Sequence, residues 1–329
     1  MSEILRVEHL TTSYVTEKTI LGKPKKTVRA VNDVSFSLDK GDFLGIVGES
    51  GCGKSTLAKS ILRLVRSESG DVIYNGKNLN SLTAEEMRLA RQKIQVVFQD
   101  PYASLNPRMT VREIIESPLR VYNIGTAQER AEKVKKICEA TELREEYLDR
   151  YPHEFSGGQR QRIMIARALI MEPEIVVFDE PVSALDVSVR SQVLNLLMDL
   201  KTKMNFTALF ISHDLSVVKY VCNKVAVMYL GNIVEMGDKK QIYEQPVHPY
   251  TQALLAAIPI PEVKGQKNRD TLKGEIPSPL NMPSGCPFHT RCPYAKGVCS
   301  RKKPEWTNVS SVHGCACHLV SNPQEGGGI

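Results

Sequence analysis

The eight residues Gly48–Ser55 constrain the fold of this chain more than any other segment. They read Gly-Glu-Ser-Gly-Cys-Gly-Lys-Ser and fit the pattern G-x-x-x-x-G-K-[ST]. The apolar run Phe43–Val47 precedes them and a helical pattern begins at Lys54, which predicts a strand, a glycine-rich turn and a helix. Backbone N–H groups of such a turn curl around phosphate oxygens, and the helix N-terminus adds positive potential. We therefore predict a phosphate loop in which Lys54 contacts the phosphates and Ser55 ligates Mg²⁺.

Short apolar runs alternate with longer helical patterns along most of the chain, which is typical of an α/β fold. The predicted strands are Ile4–Val7, Asp33–Leu38, Phe43–Gly48, Val72–Tyr74, Ile94–Phe98, Ile175–Asp179, Ala208–Ser212, Lys224–Tyr229 and Ile233–Met236. The predicted helices are Lys54–Val65, Ala127–Thr141, Gly158–Met171, Val187–Met204 and Leu215–Val221.

The composition is that of an ordinary globular chain, with 329 residues of which 42% are hydrophobic and 24% charged. Collagen-like and wholly disordered proteins are thereby excluded. The longest apolar run, Ala253–Ile260, is far shorter than the roughly 18 residues of a membrane-spanning helix. Charges at Glu3, Arg6 and Glu8 fall where a signal peptide would be apolar, so we expect a cytosolic protein. The net charge of +6 permits an anionic partner without requiring nucleic acid.

A change of composition after Ala257 predicts a domain boundary, which we place between residues 257 and 258. Helix and strand interiors do not tolerate the proline density that follows, so we expect an extended connector leading to a C-terminal extension at 258–329. Its prolines are Pro259, Pro261, Pro277, Pro279 and Pro283. We also predict a loop at Gly22–Lys26 and a disordered tail at Glu325–Ile329.

A pair of carboxylates, Asp179 and Glu180, follows the apolar run Ile175–Phe178. At the tip of a buried strand, Asp179 can hold Mg²⁺ and Glu180 can polarise a water for attack on the γ-phosphate. Alone, this pair is weak evidence of catalysis. With a phosphate loop in the same chain, it becomes the expected partner of that loop.

The segment Phe155-Ser156-Gly157-Gly158-Gln159 resembles the signature motif of the ATP-binding cassette (ABC) ATPases, with Phe155 where leucine is more usual. The resemblance implies a P-loop ABC-type ATPase domain with a mixed sheet core, an antiparallel β subdomain and a helical subdomain at about residues 100–158. It also implies a dimer in which the signature acts on the partner's nucleotide. The residues implied to act in this way are Ser156, Gly157, Gly158, Gln159 and Asp186.

Further residues match motifs of the family in the same order along the chain. Tyr14 resembles the aromatic residue that stacks on adenine, Gln99 the lid glutamine and His213 the switch histidine. The implied ATP-binding residues are Tyr14, Gly48, Glu49, Ser50, Gly51, Cys52, Gly53, Lys54, Ser55, Thr56 and Gln99. The implied catalytic residues are Glu180 and His213, and the implied Mg²⁺ ligands are Ser55, Gln99 and Asp179. Taken alone, Asp186 and His213 could instead cap the helices that follow them.

The segments Val97–Pro107 and His248–Thr251, with the connector, resemble the ATPase subunits of oligopeptide and dipeptide importers. The basic loop at Gly22–Lys26 and the pair Tyr102-Ala103 resemble the second of the two paired ATPases in such systems. This implies peripheral attachment to the cytoplasmic face of the inner membrane. The implied partners are a paired ATPase subunit in a heterodimer, two membrane-spanning permease subunits and an extracytoplasmic peptide-binding protein, without nucleic acid. Importers of nickel or another solute, and soluble ABC ATPases outside transport, remain alternatives.

Cysteines are unevenly distributed. Cys286, Cys292, Cys299 and Cys317 have the spacing C-x₅-C-x₆-C-x₁₇-C, which resembles the iron–sulfur site of peptide-importer ATPases. Four thiolates suit a [4Fe–4S] cluster or structural zinc, and a site without metal is the third alternative. Cys315 competes with Cys317 as the fourth ligand.

The three remaining cysteines are scattered. Cys52 lies inside the phosphate loop, where Lys54 and the helix N-terminus predict a lowered thiol pKa. The alternative for Cys52 is a small filler residue. Cys138 and Cys222 fall on helical segments, and we expect them to be buried and inert.

Overall fold

The computed structural model describes residues 2–18, 24–258 and 274–321. The chain forms two compact units. Of the described residues, unit 1 contains those of Met1–Ser2, Asp39–Phe43 and Ser81–Ser212, and unit 2 those of Glu3–Leu38, Leu44–Asn80 and His213–Ile329. No described helix combines the length and the apolar character that a membrane-spanning segment requires.

The strands are β1 (Glu3–Lys18), β2 (Pro24–Asp39), β3 (Phe43–Val47), β4 (Ser69–Tyr74), β5 (Lys77–Asn78), β6 (Ile94–Val97), β7 (Ile175–Asp179), β8 (Thr207–Ser212), β9 (Lys224–Tyr229), β10 (Asn232–Asp238), β11 (Thr307–Ser310) and β12 (His313–Cys315). The helices are α1 (Lys54–Ile61), α2 (Ala84–Lys93), α3 (Pro101–Ser104), α4 (Val111–Val121), α5 (Ala127–Ala140), α6 (Gly157–Leu169), α7 (Val187–Met204), α8 (Leu215–Val221), α9 (Lys239–Glu244), α10 (Pro249–Ala256) and α11 (His318–Ser321).

Unit 2 contains two groups of hydrogen-bonded strands. The first is a four-stranded sheet in the order β2-β1-β4-β5, in which β4 is antiparallel to both β1 and β5. The second runs β11-β12-β10-β9-β3, with β3 parallel to β9 and the other neighbours antiparallel. The expected antiparallel β subdomain and mixed sheet are therefore both present.

Unit 1 is built on the parallel strands β8, β7 and β6. Every residue of β7 and β8 is buried, as expected for parallel strands covered on both faces. The carboxyl end of β7 therefore delivers Asp179 and the following Glu180 to one edge of this sheet.

Four helices of unit 1 begin with a capping box, in which a hydroxyl side chain and the side chain three residues later cap each other's backbone N–H groups. The pairs are Thr83 with Glu86, Thr110 with Glu113, Thr126 with Glu129 and Ser156 with Gln159. The first two pairs begin α2 and α4, neither of which the apolar periodicity predicted. The T-x-x-E spacing would have identified both helices.

The predicted element bounds are correct for β7, β9, α7 and α8 and too short for the N-terminal strands. β1 and β2 each extend over 16 residues. The loop predicted at Gly22–Lys26 is wrong at Pro24–Lys26, which open β2, because a strand tolerates proline at its first residue. Residues 22 and 23 of that loop, the connector from 259 to 273 and the tail at Glu325–Ile329 lie outside the described residues.

Candidate functional site

The segment Gly48–Gly53 connects β3 to α1 within unit 2, as the motif predicts. Gly53 is the N-cap of α1 and has φ 108°, a left-handed conformation that glycine adopts without strain. A Cβ atom on Gly53 would lie 1.9 Å from the Ala30 carbonyl oxygen, and one on Gly48 would lie 2.1 Å from the Met228 oxygen. Only glycine fits at either position, so the neighbouring backbone dictates the path of the loop.

Lys54 lies inside this loop. Its side chain is buried, and its Nζ donates hydrogen bonds to the carbonyl oxygens of Gly48 at 2.8 Å and Glu49 at 3.1 Å. A buried ammonium requires such partners, because an unpaired charge away from water is costly. The loop therefore holds one positive charge at the N-terminus of α1, where backbone N–H groups and the helix dipole also favour an anion.

The prediction of a lowered thiol pKa for Cys52 is wrong. Its side chain is only 4% exposed, and burial raises the pKa of the Cys52 thiol despite Lys54, whose Nζ lies 3.8 Å from Sγ. The desolvation free energy of a buried thiolate is larger here than the favourable electrostatic interaction of that thiolate with the Lys54 ammonium. Cys52 fills space in the loop, which was the alternative weighed from the sequence.

Glu49 is held at three points within unit 2. Its backbone N–H donates to the Tyr250 hydroxyl oxygen at 3.0 Å, and its carboxylate accepts two hydrogen bonds from Arg291 at 2.7 and 3.0 Å. This carboxylate in turn raises the pKa of the Arg291 guanidinium. The sequence did not identify either partner, because Arg291 lies 242 residues from Glu49.

The other residues assigned to the nucleotide in unit 2 lie on exposed or half-buried positions. Tyr14 on β1 is 39% exposed, which leaves its ring available for stacking. Ser50 and Gly51 are exposed, and Ser55 and Thr56 are half-buried in the first turn of α1. His213 is exposed before α8, and it does not cap that helix. The cap is Asp214, whose carboxylate accepts from the backbone N–H groups of Ser216 and Val217.

In unit 1, Asp179 is buried at the end of β7 and Glu180 follows it in a left-handed conformation with φ 47°. Such a backbone is uncommon for a residue with a side chain, and it is concentrated at functional sites. The Glu180 N–H donates to the Ile211 carbonyl at 3.0 Å. Gln99 Nε2 donates to the Glu180 carboxylate at 3.3 Å, which brings two predicted site residues together.

The signature segment begins α6 within unit 1. The Ser156 hydroxyl accepts from the Gln159 N–H at 3.4 Å, and the Gln159 side-chain oxygen accepts from the Ser156 N–H at 3.0 Å. A Cβ atom on Gly158 would lie 2.2 Å from Cγ1 of Val189. The second glycine is therefore required for close packing of α6 against α7, a structural role in addition to any role at a nucleotide.

Asp186 is the N-cap of α7. Its carboxylate accepts from the Val189 N–H at 3.0 Å and from the Ser188 hydroxyl at 2.8 Å. These hydrogen bonds stabilise the charged form and lower the Asp186 pKa. The simple capping role considered from the sequence is therefore present.

The C-terminal cysteines share one neighbourhood of unit 2. Burial, together with the charges on neighbouring cysteines, raises the pKa of Cys286 and of Cys292 to about 11. Cys315 donates a hydrogen bond to Cys317 and thereby lowers the pKa of Cys317 to about 7. None of the eight cysteines, all within the described ranges, forms a disulfide. Cys138 and Cys222 are buried, as predicted.

The predicted metal site is not supported by this arrangement. Across residues 2–18, 24–258 and 274–321, no group of three or more histidine, cysteine, aspartate or glutamate side chains is placed to hold a metal ion. The [4Fe–4S] cluster and its zinc alternative therefore stay predictions.

Two family models match the chain. One, described as ABC transporter, matches residues 31–183, and the other, described as the C-terminal region of oligopeptide/dipeptide transporters, matches residues 234–299. Among solved structures, a dimeric post-hydrolysis state of the ATP-binding cassette MJ0796 bound to ADP and Pi is similar with a TM-score of 0.64. It is 28% identical and the match covers 72% of this chain and 99% of that one.

Curated relatives match over nearly the whole length. The oligopeptide transport ATP-binding protein AppF of Bacillus subtilis is 52% identical over 297 residues, which are 89% of this chain and 90% of AppF. The oligopeptide transport ATP-binding protein OppF of Haemophilus influenzae is 48% identical over 322 residues, which are 96% of this chain and 97% of OppF. The chain therefore belongs to the family of ATP-binding subunits of oligopeptide and dipeptide ABC importers.

Proposed function

We propose that this chain binds ATP with Mg²⁺ at the phosphate loop, hydrolyses it and thereby powers the import of oligopeptides or dipeptides. The observation that carries this proposal is Lys54, buried inside a glycine-dictated loop at the N-terminus of α1. The relatives named as oligopeptide transport ATP-binding proteins support the peptide cargo. They favour it over nickel or another solute and over ABC ATPases outside transport.

The hydrolytic roles follow the motif assignments. Glu180 polarises the attacking water as general base, and its carboxylate is already oriented by the hydrogen bond from Gln99. His213 contacts the γ-phosphate, and Tyr14 stacks on the adenine. Ser55, Gln99 and Asp179 would hold Mg²⁺, which would supply positive charge against the phosphates.

The working unit is a dimer of ATPase subunits. Ser156 and the first turn of α6 present N–H groups at a helix N-terminus, which suits a phosphate. We place them on the nucleotide of the partner subunit, together with Asp186. The solved cassette MJ0796 is a dimer, which supports pairing. We propose a distinct ATPase chain as the partner.

The membrane partner docks on the segment Gln99–Met109 and the helical region that continues to about Gly158. Tyr102 is 69% exposed there, and its ring lies 3.9 Å from the Arg160 guanidinium carbon. A helix of the permease bound at this segment would couple transport to dimer closure by contacting the two states differently. A photo-crosslinker at Ala103 should reach a cytoplasmic loop of the permease, whereas crosslinks from Lys303 alone would contradict this docking site.

The complete assembly adds two permease subunits and an extracytoplasmic peptide-binding protein, and places this chain at the cytoplasmic face of the inner membrane. We propose a domain boundary between residues 257 and 258, which separates the ATP-binding domain from a proline-rich connector and a cysteine-rich C-terminal extension. The purified subunits, reconstituted in vesicles, should take up a labelled peptide only with ATP inside the compartment that this chain faces. Uptake that persists with Glu180→Gln would overturn the proposal.

We propose, finally, that Cys286, Cys292, Cys299 and Cys317 hold a [4Fe–4S] cluster, with zinc as the alternative. The cysteine spacing C-x₅-C-x₆-C-x₁₇-C supports this proposal. Anaerobically purified protein should be brown and release sulfide. Cys292→Ser should lose the colour while keeping ATP binding, and Cys138→Ser should keep both. One equivalent of zinc in colourless protein would establish the alternative, and metal-free protein would refute the site.

A further inference from the structure

The phosphate loop contains a carboxylate, Glu49, although the nucleotide phosphates that this loop is proposed to bind are themselves negatively charged. Glu49 is the second residue of the phosphate loop, between Gly48 and Ser50. An unpaired carboxylate at this position would repel nucleotide phosphates, because charges separated by about 10 Å still interact appreciably at the dielectric of a protein surface. The loop therefore needs a compensating charge besides Lys54.

Arg291 supplies that charge. Both of its terminal nitrogens donate to the Glu49 carboxylate, at 2.7 and 3.0 Å, a bidentate arrangement that fixes geometry as well as charge. The exposed fraction of the side chain is 5% for Arg291 and 22% for Glu49. The pair is thus largely removed from solvent. Because buried charges are screened by salt much less than exposed ones, the attraction between the two side chains remains strong.

The guanidinium is held in place by a buried aromatic cluster of unit 2, formed by Tyr229, Tyr250 and Phe288. The ring centroids of Tyr229 and Tyr250 are 4.7 Å apart, and each lies 5.3 Å from that of Phe288. Phe288 belongs to the same short segment as Arg291, whose guanidinium carbon lies 5.9 Å from the Tyr229 ring. The cluster therefore anchors the segment that carries Arg291.

The same cluster reaches the backbone of the loop. The Tyr250 hydroxyl accepts the Glu49 N–H, so both the side chain and the main chain of Glu49 are held by residues of unit 2. In the same unit, the Glu235 carboxylate accepts the backbone N–H groups of Val247 and His248 and pairs with His313 at 2.8 Å. These buried contacts tie β12 and the start of α10 to β10.

We infer that Arg291 is a positioning residue for ATP binding, which neutralises Glu49 and fixes the phosphate loop in a conformation that accepts nucleotide phosphates. The C-terminal segment would then be part of the nucleotide site without contacting the nucleotide. This inference rests on the proposed function of the loop, and it assigns to Arg291 an effect on ATP affinity rather than on the chemical step.

The test measures binding of a fluorescent ATP analogue to the full-length chain. Arg291→Met should weaken binding about tenfold, the order expected from one uncompensated charge near the phosphates. Arg291→Lys, which keeps the charge but not the bidentate geometry, should lose less. The matched control is Arg301→Met in the same segment, because the Arg301 side chain is exposed and its Nε donates to the Gly297 carbonyl. The ATP affinity of this control should equal that of the wild type.

The decisive variant is Glu49→Gln combined with Arg291→Met. With the carboxylate removed there is no charge to neutralise, so binding should return to within about twofold of the Glu49→Gln single variant. The value of kcat at saturating ATP should stay near that of the wild type in Arg291→Met and Arg301→Met, because the inference assigns to Arg291 an effect on affinity and not on the chemical step. Thermal melting of each variant reports whether it folds. If Arg291→Met is destabilised, the comparison of the double variant with the Glu49→Gln single variant decides whether Arg291 acts through the charge of Glu49.

Two outcomes would overturn the inference. One is unchanged ATP affinity in a folded Arg291→Met chain. The other is an equal loss in the Glu49→Gln background, which would assign to Arg291 a packing role only. Failure of the proposed function looks different, since the wild type would then bind the analogue no better than Lys54→Ala.

Discussion

Gln99 Nε2 donates a hydrogen bond to the Glu180 carboxylate at 3.3 Å, although 81 residues separate the two in the chain. Glu180 has a left-handed backbone with φ 47°, so its side chain is directed by a conformation that few residues adopt. Gln99 and the candidate base Glu180 are therefore linked by a hydrogen bond that does not depend on a bound nucleotide.

Replacing the carboxylate of Glu180 should separate binding from turnover. Glu180→Gln keeps the shape of the side chain but removes the base, so we expect ATP binding to persist and turnover to fall by roughly 10²–10⁴-fold. The variant should also accumulate a closed dimer with ATP, visible by size-exclusion chromatography. Turnover at the wild-type rate would exclude Glu180 as the base.

Removing the loop ammonium should act on binding itself. Lys54→Ala deletes the ammonium that would contact the phosphates, which in the structure is held by the Gly48 and Glu49 carbonyls. A hydrogen bond from a charged donor contributes about 1.5–3 kcal/mol. ATP affinity should fall at least tenfold by fluorescence titration. Lys59→Ala, on the exposed face of the same helix, is the control and should bind ATP as the wild type does.

The second signature glycine should be intolerant of any side chain. In Gly158→Ala the new Cβ would meet Cγ1 of Val189 at 2.2 Å, and overpacking of this kind costs about 1–3 kcal/mol of unfolding free energy. Denaturant unfolding should register that loss. Adding Val189→Ala removes the obstructing methyl groups and should recover part of it; equal stability of wild type and Gly158→Ala would refute the packing role.

Alkylation of Cys52 should be slow near neutral pH. Burial raises its thiol pKa, so the reactive thiolate forms only above the ordinary thiol pKa of about 8.5. In the folded protein the iodoacetamide rate at Cys52, followed by mass spectrometry, should still be rising above that pH. A plateau below pH 8 would indicate a lowered pKa and restore the original prediction for this residue.

Elements with a strong local pattern could be predicted accurately. The apolar run Ile175–Asp179 and the long helix Val187–Met204 appear with the predicted bounds, because burial on both faces and 3.6-residue periodicity are readable from neighbouring residues. α4 was missed because Pro118 lies inside it, a residue that normally argues against a helix interior. Its capping box at Thr110 and Glu113 begins the helix nevertheless.

The sequence by itself determined the features that depend on short stretches of chain. The order strand, glycine turn and Lys54 helix follows from local conformational limits, since only glycine permits the turn and the lysine comes directly after it. The family could likewise be identified from motifs read in order. These inferences required no knowledge of which distant residues meet.

The tertiary structure decided everything that depends on the surroundings of a residue. Burial outweighs Lys54 at Cys52 and raises a pKa that local charge would lower, because desolvation depends on atoms from elsewhere in the fold. The same holds for the carboxylate of Glu49: its partner Arg291 lies 242 residues away, brought there by the packing of Phe288 on Tyr229 and Tyr250. No local pattern encodes such a pairing, since the aromatic packing that produces it exists only in the folded chain.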